Sequence, residues 1–224
     1  MKKLLSLILL GLFLVNPAAF GCAEQTEKGL EVIETLVGNY KYENYVYKLD
    51  SQICDQLEDH SQDLYYKLLK EEVMGIYSYT TNDIYKKLNA TLRRGKVADK
   101  KKYGPMVEII NSGLKKLPKF VGQVVRFEKK KSVNSWGEGK VKTFKAYTSS
   151  SKKKGFCWSG NVKLKIKSKT GRFIGMMSRY KNEQEVLFLP GTKFKVTKRT
   201  KATKEGSANC NDEKTLHVIE MEEI

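Results

Sequence analysis

Two glutamates separated by one residue, Glu183 and Glu185, lead into the apolar run Val186-Leu187-Phe188-Leu189-Pro190. On an extended strand, residues two apart point to one face. The pattern therefore predicts both carboxylates on the same side, with Gln184 turned opposite. Such a pair can divide work, one carboxylate stabilising a developing positive charge and the other removing a proton from a nucleophile. Taken alone, it is more simply the solvent side of a strand. Arg126 is a second candidate, set in the apolar run Val124-Val125-Arg126-Phe127. A guanidinium seldom lies in such a run without an anion or carboxylate to pair with, the bland alternative being an edge strand facing water. A third is the hydroxyl cluster Thr148-Ser149-Ser150-Ser151 behind the aromatic stretch Phe144 to Tyr147. Hydroxyls at a strand end usually cap a turn. The two histidines, His60 and His217, stand apart, and Cys22, Cys54, Cys157 and Cys210 show no CxxC or Cys/His spacing. A histidine-dependent triad and a metal site are therefore not expected.

These residues need elements to hold them. Between 51 and 77, apolar residues recur at helical spacing (Leu57, Leu64, Leu68, Val73), which predicts a long amphipathic helix. A second helix is expected over 82–94, with Thr80, Thr81 or Asn82 as its N-cap, the stripe Ile84, Leu88, Leu92, and Gly95 as its terminator. Pro105 is suited to open a third helix that stops before Pro118. Beyond Pro118 the pattern turns to short strands over 121–127, 141–147, 162–167, 183–189, 194–198 and 216–221, separated by Lys-, Gly-, Ser- and Asn-rich intervals. Helices first and strands afterwards predict an α+β domain with antiparallel sheet.

Arg, then a Ser cluster after an aromatic strand, then Glu-x-Glu, resembles the arginine-specific mono-ADP-ribosyltransferases, a family of vertebrate ecto-enzymes and bacterial effector toxins. The flanks share the likeness. Tyr79-Thr80 with Tyr85, Asn89, Leu92 and Arg93 is similar to a helix of that family. The segment 114–122 is similar to the approach to its arginine strand, and 190–196 to the stretch after its catalytic glutamate. The resemblance covers about 52–222. It implies an α+β fold in which N-terminal helices precede two antiparallel sheets that form a split NAD-binding cleft. It also implies one role per matched position: Arg126 for the NAD phosphates, Ser149 for the nicotinamide-side ribose and for placing Glu185, Glu185 as the catalytic glutamate, and Glu183 for the target arginine. The family usually has Gly after the strand arginine. Here it is Phe127, expected to narrow the pocket or stack on the nicotinamide. Ser178 to Glu183 corresponds to the acceptor loop, with Tyr180 as the residue that packs on the target. By the same resemblance Cys54 pairs with Cys210, leaving Cys157 free or paired with Cys22.

The residue types suit that reaction. Breaking the nicotinamide–ribose bond passes through an oxocarbenium-like transition state, which a carboxylate on the ribose 2′-hydroxyl stabilises. The acceptor guanidinium holds its proton to a pKa above about 12, so a second carboxylate is needed to orient and deprotonate it. The expected activity is transfer of ADP-ribose from NAD to an arginine of an acceptor protein, NAD being the only cofactor and a substrate. Two other readings are an NAD glycohydrolase on the same site and a non-enzymatic cationic protein that binds acidic surfaces or nucleic acid.

The totals set the surroundings. In a chain of 224 residues, Lys2 and Lys3, the apolar stretch 4–15 and small residues up to Ala23 form the three parts of a secretory signal. That apolar stretch is short of the roughly 20 residues of a membrane span. Residues 1–23 are therefore expected as a signal peptide and 24–224 as a single secreted catalytic domain, with lipidation at Cys22 the alternative. The formal net charge of +17 favours encounter with acidic partners. The expected partner is a protein with an exposed arginine, with no stable nucleic acid partner and no integral membrane span, and the chain is expected to be a monomer.

Overall fold

The computed structural model describes residues 26–49, 53, 67–129, 133–201 and 217–224. Among these residues five α-helices come first: α1 (Glu27–Val37), α2 (Asn39–Lys48), α3 (Lys70–Tyr79), α4 (Tyr85–Arg94) and α5 (Val97–Lys116). Seven strands follow among the described residues: β1 (Lys119–Glu128), β2 (Val141–Phe144), β3 (Thr148–Ser151), β4 (Val162–Phe173), β5 (Glu185–Phe188), β6 (Thr192–Lys201) and β7 (His217–Glu223).

Most of the helix expected over 51–77, residues 51–52 and 54–66, lies outside the described residues. Residues 67–69 form a turn, and α3 begins at Lys70 because the Glu72 carboxylate reaches back to accept the Leu69 N–H at 2.8 Å. Glu72 also holds Lys116 at 2.8 Å and Ser112 at 2.6 Å on α5, so its buried charge is paired. Every residue of α3 is buried, which places it at the centre of the helical layer. Helix α4 ends where expected, at Gly95 in the left-handed region (φ 67°), but none of the three proposed N-caps starts it, since Ile84 occupies that position. Pro105 lies inside α5 rather than at its start. The buried stripe Met106, Ile110, Leu114 extends one turn back to Tyr103, and burial of that ring carries the helix past an exposed proline. Helices α1 and α2, which the apolar pattern did not single out, cover the other side of the layer. Thr26 caps α1 by accepting the Gly29 N–H at 3.2 Å, and Glu71 on α3 accepts in turn from the Thr26 hydroxyl at 2.6 Å.

The strands form one connected sheet in the order β1-β3-β5-β4-β7-β6-β2, with β1 also pairing β4. Antiparallel pairing is the rule, and β4 with β7 is the one parallel pair among them. The connection is uneven. Strands β1, β4, β7, β6 and β2 share long registers, whereas β3–β5 meets β1 only at Val125–Ser151 and β4 only at Arg172 and Phe173. The sheet is thus split in effect into a five-stranded body and a two-stranded piece. Crossing between them divides the expected 141–147 strand, because β2 pairs β6 of the body while β3 pairs β5 of the smaller piece. Where β4 crosses to β5, Gly171 permits close approach, since a Cβ there would stand 2.7 Å from the Val186 side chain.

Two cores result. Apolar residues of the helices pack with Tyr147, Ile174, Met177 and Leu187, while Val124, Leu164, Ile166, Val186, Phe188, Phe194 and Ile219 fill the space enclosed by the strands. Among the described residues, no helix is long and apolar enough to cross a membrane. Residues 1–23, Cys54 and Cys210 lie outside the described residues. Cys157 is disulfide-bonded, which removes the free-thiol alternative.

Candidate active site

Ser149 sits at the junction of the two sheet pieces, and both its main chain and its side chain are used. Its carbonyl oxygen accepts from Arg126 Nη1 at 2.6 Å, and its hydroxyl donates to Glu185 Oε1 at 2.5 Å. Three residues distant in sequence, on β1, β3 and β5, are thereby brought into direct contact. Arg126 is held on its other side by Glu128, whose Oε1 lies 2.8 Å from both Nε and Nη2. Of the five guanidinium N–H groups, one on each terminal nitrogen is left for an anion.

Glu185 is 4 % exposed. Its second oxygen, Oε2, accepts a long hydrogen bond from Ser178 at 3.4 Å. Burial pushes its pKa up to about 7; the Ser149 and Ser178 hydroxyls oppose that rise and the nearby Glu183 charge adds to it. Tyr79, buried above the pair, accepts from Asn89 Nδ2 at 3.0 Å, and burial raises its hydroxyl to about 12. Tyr79 packs edge-on against Tyr147 at 5.0 Å and Tyr85 at 6.5 Å, an aromatic wall that excludes water from one side of the carboxylate.

Glu183 does not share the strand. It closes a 3₁₀ turn (Lys181–Glu183), and Gln184 adopts the left-handed conformation (φ 48°) before β5 begins at Glu185. The expected strand alternation is therefore replaced by a kink, yet both carboxylates still line one cleft. The local reason is visible in the contacts. The Glu183 carbonyl accepts from the Ser151 hydroxyl at 2.5 Å and the Gln184 carbonyl from the Lys152 N–H at 3.1 Å, so main-chain pairing with the end of β3 pulls the two residues out of register. Glu183 is half-buried, its pKa raised by burial and lowered in part by the Trp158 indole.

The cleft has a volume of about 360 Å³, and Tyr79, Asn89, Arg126, Phe127, Glu183 and Glu185 are among the residues that line it. A second hollow of about 570 Å³ shares Arg93, Arg126 and Tyr147 with it, so Arg126 stands between the two. Phe127 is 5 % exposed and forms part of the wall, where the small residue of the resembling family would leave room. Tyr180 is 40 % exposed at the rim. Its loop is fastened at Arg179, whose N–H donates to Thr80 Oγ1 at 2.9 Å, and at Ser178, which accepts the Tyr180 N–H at 3.1 Å.

The donor set fits a dinucleotide. Free N–H groups on Arg126 suit a diphosphate, a buried carboxylate beside a hydroxyl suits a ribose, and Asn89 Oδ1 is a buried acceptor without a partner on the cleft wall. Among the described residues, no three His, Cys, Asp or Glu side chains are placed to hold a metal. Arg126, Ser149, Glu183 and Glu185, the four residues read from the sequence, thus converge. Glu128, Ser178 and Trp158 were not singled out as site residues. Glu128, two residues after Arg126 on one strand, carried a same-face signal; Trp158, in a Lys- and Gly-rich loop, carried none.

Comparison with known proteins agrees with this geometry. The family model described as NAD:arginine ADP-ribosyltransferase matches residues 22–214. Over 140 residues the chain is 31% identical to the NAD(+)–protein-arginine ADP-ribosyltransferase Tre1 of Serratia proteamaculans, covering 59% of this chain and 30% of that protein. Over 135 residues it is 31% identical to the protein of the same name from Pseudomonas putida, covering 59% and 27%. The chain spans less than a third of the length of these relatives. In fold it is similar to the type III effector XopAI of Xanthomonas axonopodis pv. citri (TM-score 0.65, 24% identity, covering 90% and 89% of the two chains). It is also similar to the ADP-ribosyltransferase HopU1 of Pseudomonas syringae pv. Tomato (0.64, 16%, 90% and 99%). A third is exoenzyme S of Pseudomonas aeruginosa, solved with human 14-3-3 protein beta and carba-NAD (0.61, 20%, 88% and 87%). With the Arg126–Ser149–Glu185 contact at its centre and a family match over most of its length, the chain belongs to the NAD:arginine ADP-ribosyltransferases.

Proposed function

We propose that this protein transfers ADP-ribose from NAD to an arginine side chain of an acceptor protein and releases nicotinamide. The observation that supports it most is the double use of Ser149, which ties an anion-binding guanidinium to a buried carboxylate through one residue. NAD supplies the ribosyl group and the nicotinamide leaving group. Arg126 orients the diphosphate, and Glu185, held by Ser149, faces the ribose. Its negative charge, in a site closed off by Tyr79 and Tyr147, stabilises the positive charge that develops as the glycosidic bond breaks. Nicotinamide leaves with the bonding electron pair. Glu183 orients the incoming guanidinium and takes the proton released when the new carbon–nitrogen bond forms. Tyr180 at the rim packs on the acceptor protein.

The reading extends to export through residues 1–23 and to acidic acceptor proteins, in keeping with the net charge of +17. The test is incubation of the pure protein with labelled NAD and arginine-bearing proteins, for the native chain and Glu183→Ala. Label transfer by the native chain is expected, and Glu183→Ala should lower transfer at least about tenfold more than NAD cleavage. NAD cleavage with no transfer by the native chain would favour a glycohydrolase. No reaction by a correctly folded sample would contradict the proposal.

A further inference from the structure

The loop joining β3 to β4 contributes a residue to the acceptor side of the cleft. Residues 152–160 contain neither helix nor strand, yet the loop is tied down at several points. At its root, the Ser151 hydroxyl and the Lys152 N–H bind the main chain of Glu183 and Gln184 at 2.5 and 3.1 Å. Further along, the Phe156 ring meets Trp158 edge-on at 5.1 Å, and Cys157 between them is disulfide-bonded. Trp158 lines the cleft beside Phe127, Tyr180 and Glu183, and its indole is close enough to the Glu183 carboxylate to offset part of the pKa rise that burial causes.

This accounts for a conformation that would otherwise cost energy. Gln184 is the one non-glycine among the described residues with positive φ, a region disfavoured for a residue with a Cβ. It persists only where the surroundings over-determine it. Here Ser151 and Lys152 hold the main chain of Glu183 and Gln184, and the Gln184 side chain donates to the Lys181 carbonyl at 3.1 Å.

We propose that Trp158 is a positioning residue for the acceptor half-reaction, its indole N–H aiming Glu183 at the incoming guanidine, and that the Cys157 disulfide is the covalent anchor that keeps Trp158 in place. The assignment rests on the functional reading above. The indole beside the Glu183 carboxylate favours the ionised form, which is the form that takes a proton.

The experiment uses the full chain with NAD and agmatine, a small guanidine that removes protein–protein contacts from the readout. It measures ADP-ribosyl-agmatine formation against NAD hydrolysis between pH 6 and 9. Trp158→Phe keeps an aromatic ring and loses the N–H. The ratio of transfer to hydrolysis should fall about tenfold, as for loss of one hydrogen bond to a charged group. The rising limb of the transfer profile should also move to higher pH. Trp158→His, which keeps a ring N–H, should recover part of the ratio. Cys157→Ser should lower the ratio less than Trp158→Phe, and the double variant should fall no further than Trp158→Phe alone. A Trp158→Phe ratio within about twofold of native with an unmoved pH profile, an effect well below that of a lost charged hydrogen bond, would overturn the positioning role. Additive losses in the double variant would overturn the anchoring role. Absence of both activities in the native chain would instead remove the functional reading itself, and this assignment with it.

Discussion

Glu185 and Glu183 are two residues apart and chemically identical, yet the fold treats them differently. Glu185 opens a strand, is almost wholly buried, and has hydroxyl partners on both oxygens. Glu183 ends a 3₁₀ turn, is half-buried, and shares the cleft wall with the Trp158 indole of a loop. The first is fixed by sheet pairing, the second by a kink and an anchored loop. On the proposed function, the contrast lets one Glu-x-Glu motif serve two steps: a rigid, desolvated carboxylate for charge that develops at a fixed place, and a more accessible one for a partner that must enter.

Variants break this comparison in graded ways. The largest effect is expected for Glu185→Ala, which should lower both NAD cleavage and transfer by at least about 100-fold, the scale of a lost preorganised electrostatic contact. Glu183→Ala should separate the two activities, as described above. A smaller effect is expected in the pH profile of kcat/KM for NAD cleavage. Because the free protein holds Glu185 near pKa 7 and the ionised form is the active one, the rate should rise between pH 6 and 8. Ser149→Ala removes a hydroxyl that favours the carboxylate, so the rise should shift to higher pH. The same titration bears on stability. A carboxylate whose folded-state pKa lies above its unfolded value binds its proton more tightly when folded, so it destabilises the fold as pH climbs past the unfolded value, fully so above the folded one. Glu185→Gln should therefore be more stable than the native chain at pH 8, by on the order of 3 kcal/mol at most, and gain nothing at pH 4. Urea unfolding at the two pH values checks this, and a gain at pH 4 equal to that at pH 8 would contradict it.

Much of this was legible from residue types and order. Arg126, Ser149 and the two glutamates could be picked out because each is unusual where it stands: a guanidinium in an apolar strand, hydroxyls after an aromatic run, carboxylates before one. The α+β class followed from the change of period after Pro118. What sequence could not supply was contact between distant segments. Alternation along a strand predicted that Glu183 and Glu185 share a face, and they do share a cleft. The cause, however, is main-chain pairing of Ser151 and Lys152 with residues 183 and 184, which no local pattern encodes. Trp158 was invisible for the same reason, since its role depends on where a loop closes. The start of α5 differed from expectation where tertiary burial decided it, with buried Tyr103 carrying the helix past Pro105.

The central claim is that Arg126, Ser149 and Glu185 surround a dinucleotide. A structure of the protein with carba-NAD, an analogue that resists cleavage, tests it most directly. The diphosphate should lie on the Arg126 guanidinium and the nicotinamide-side ribose against Glu185. A dinucleotide bound elsewhere, with those three side chains untouched, would contradict it.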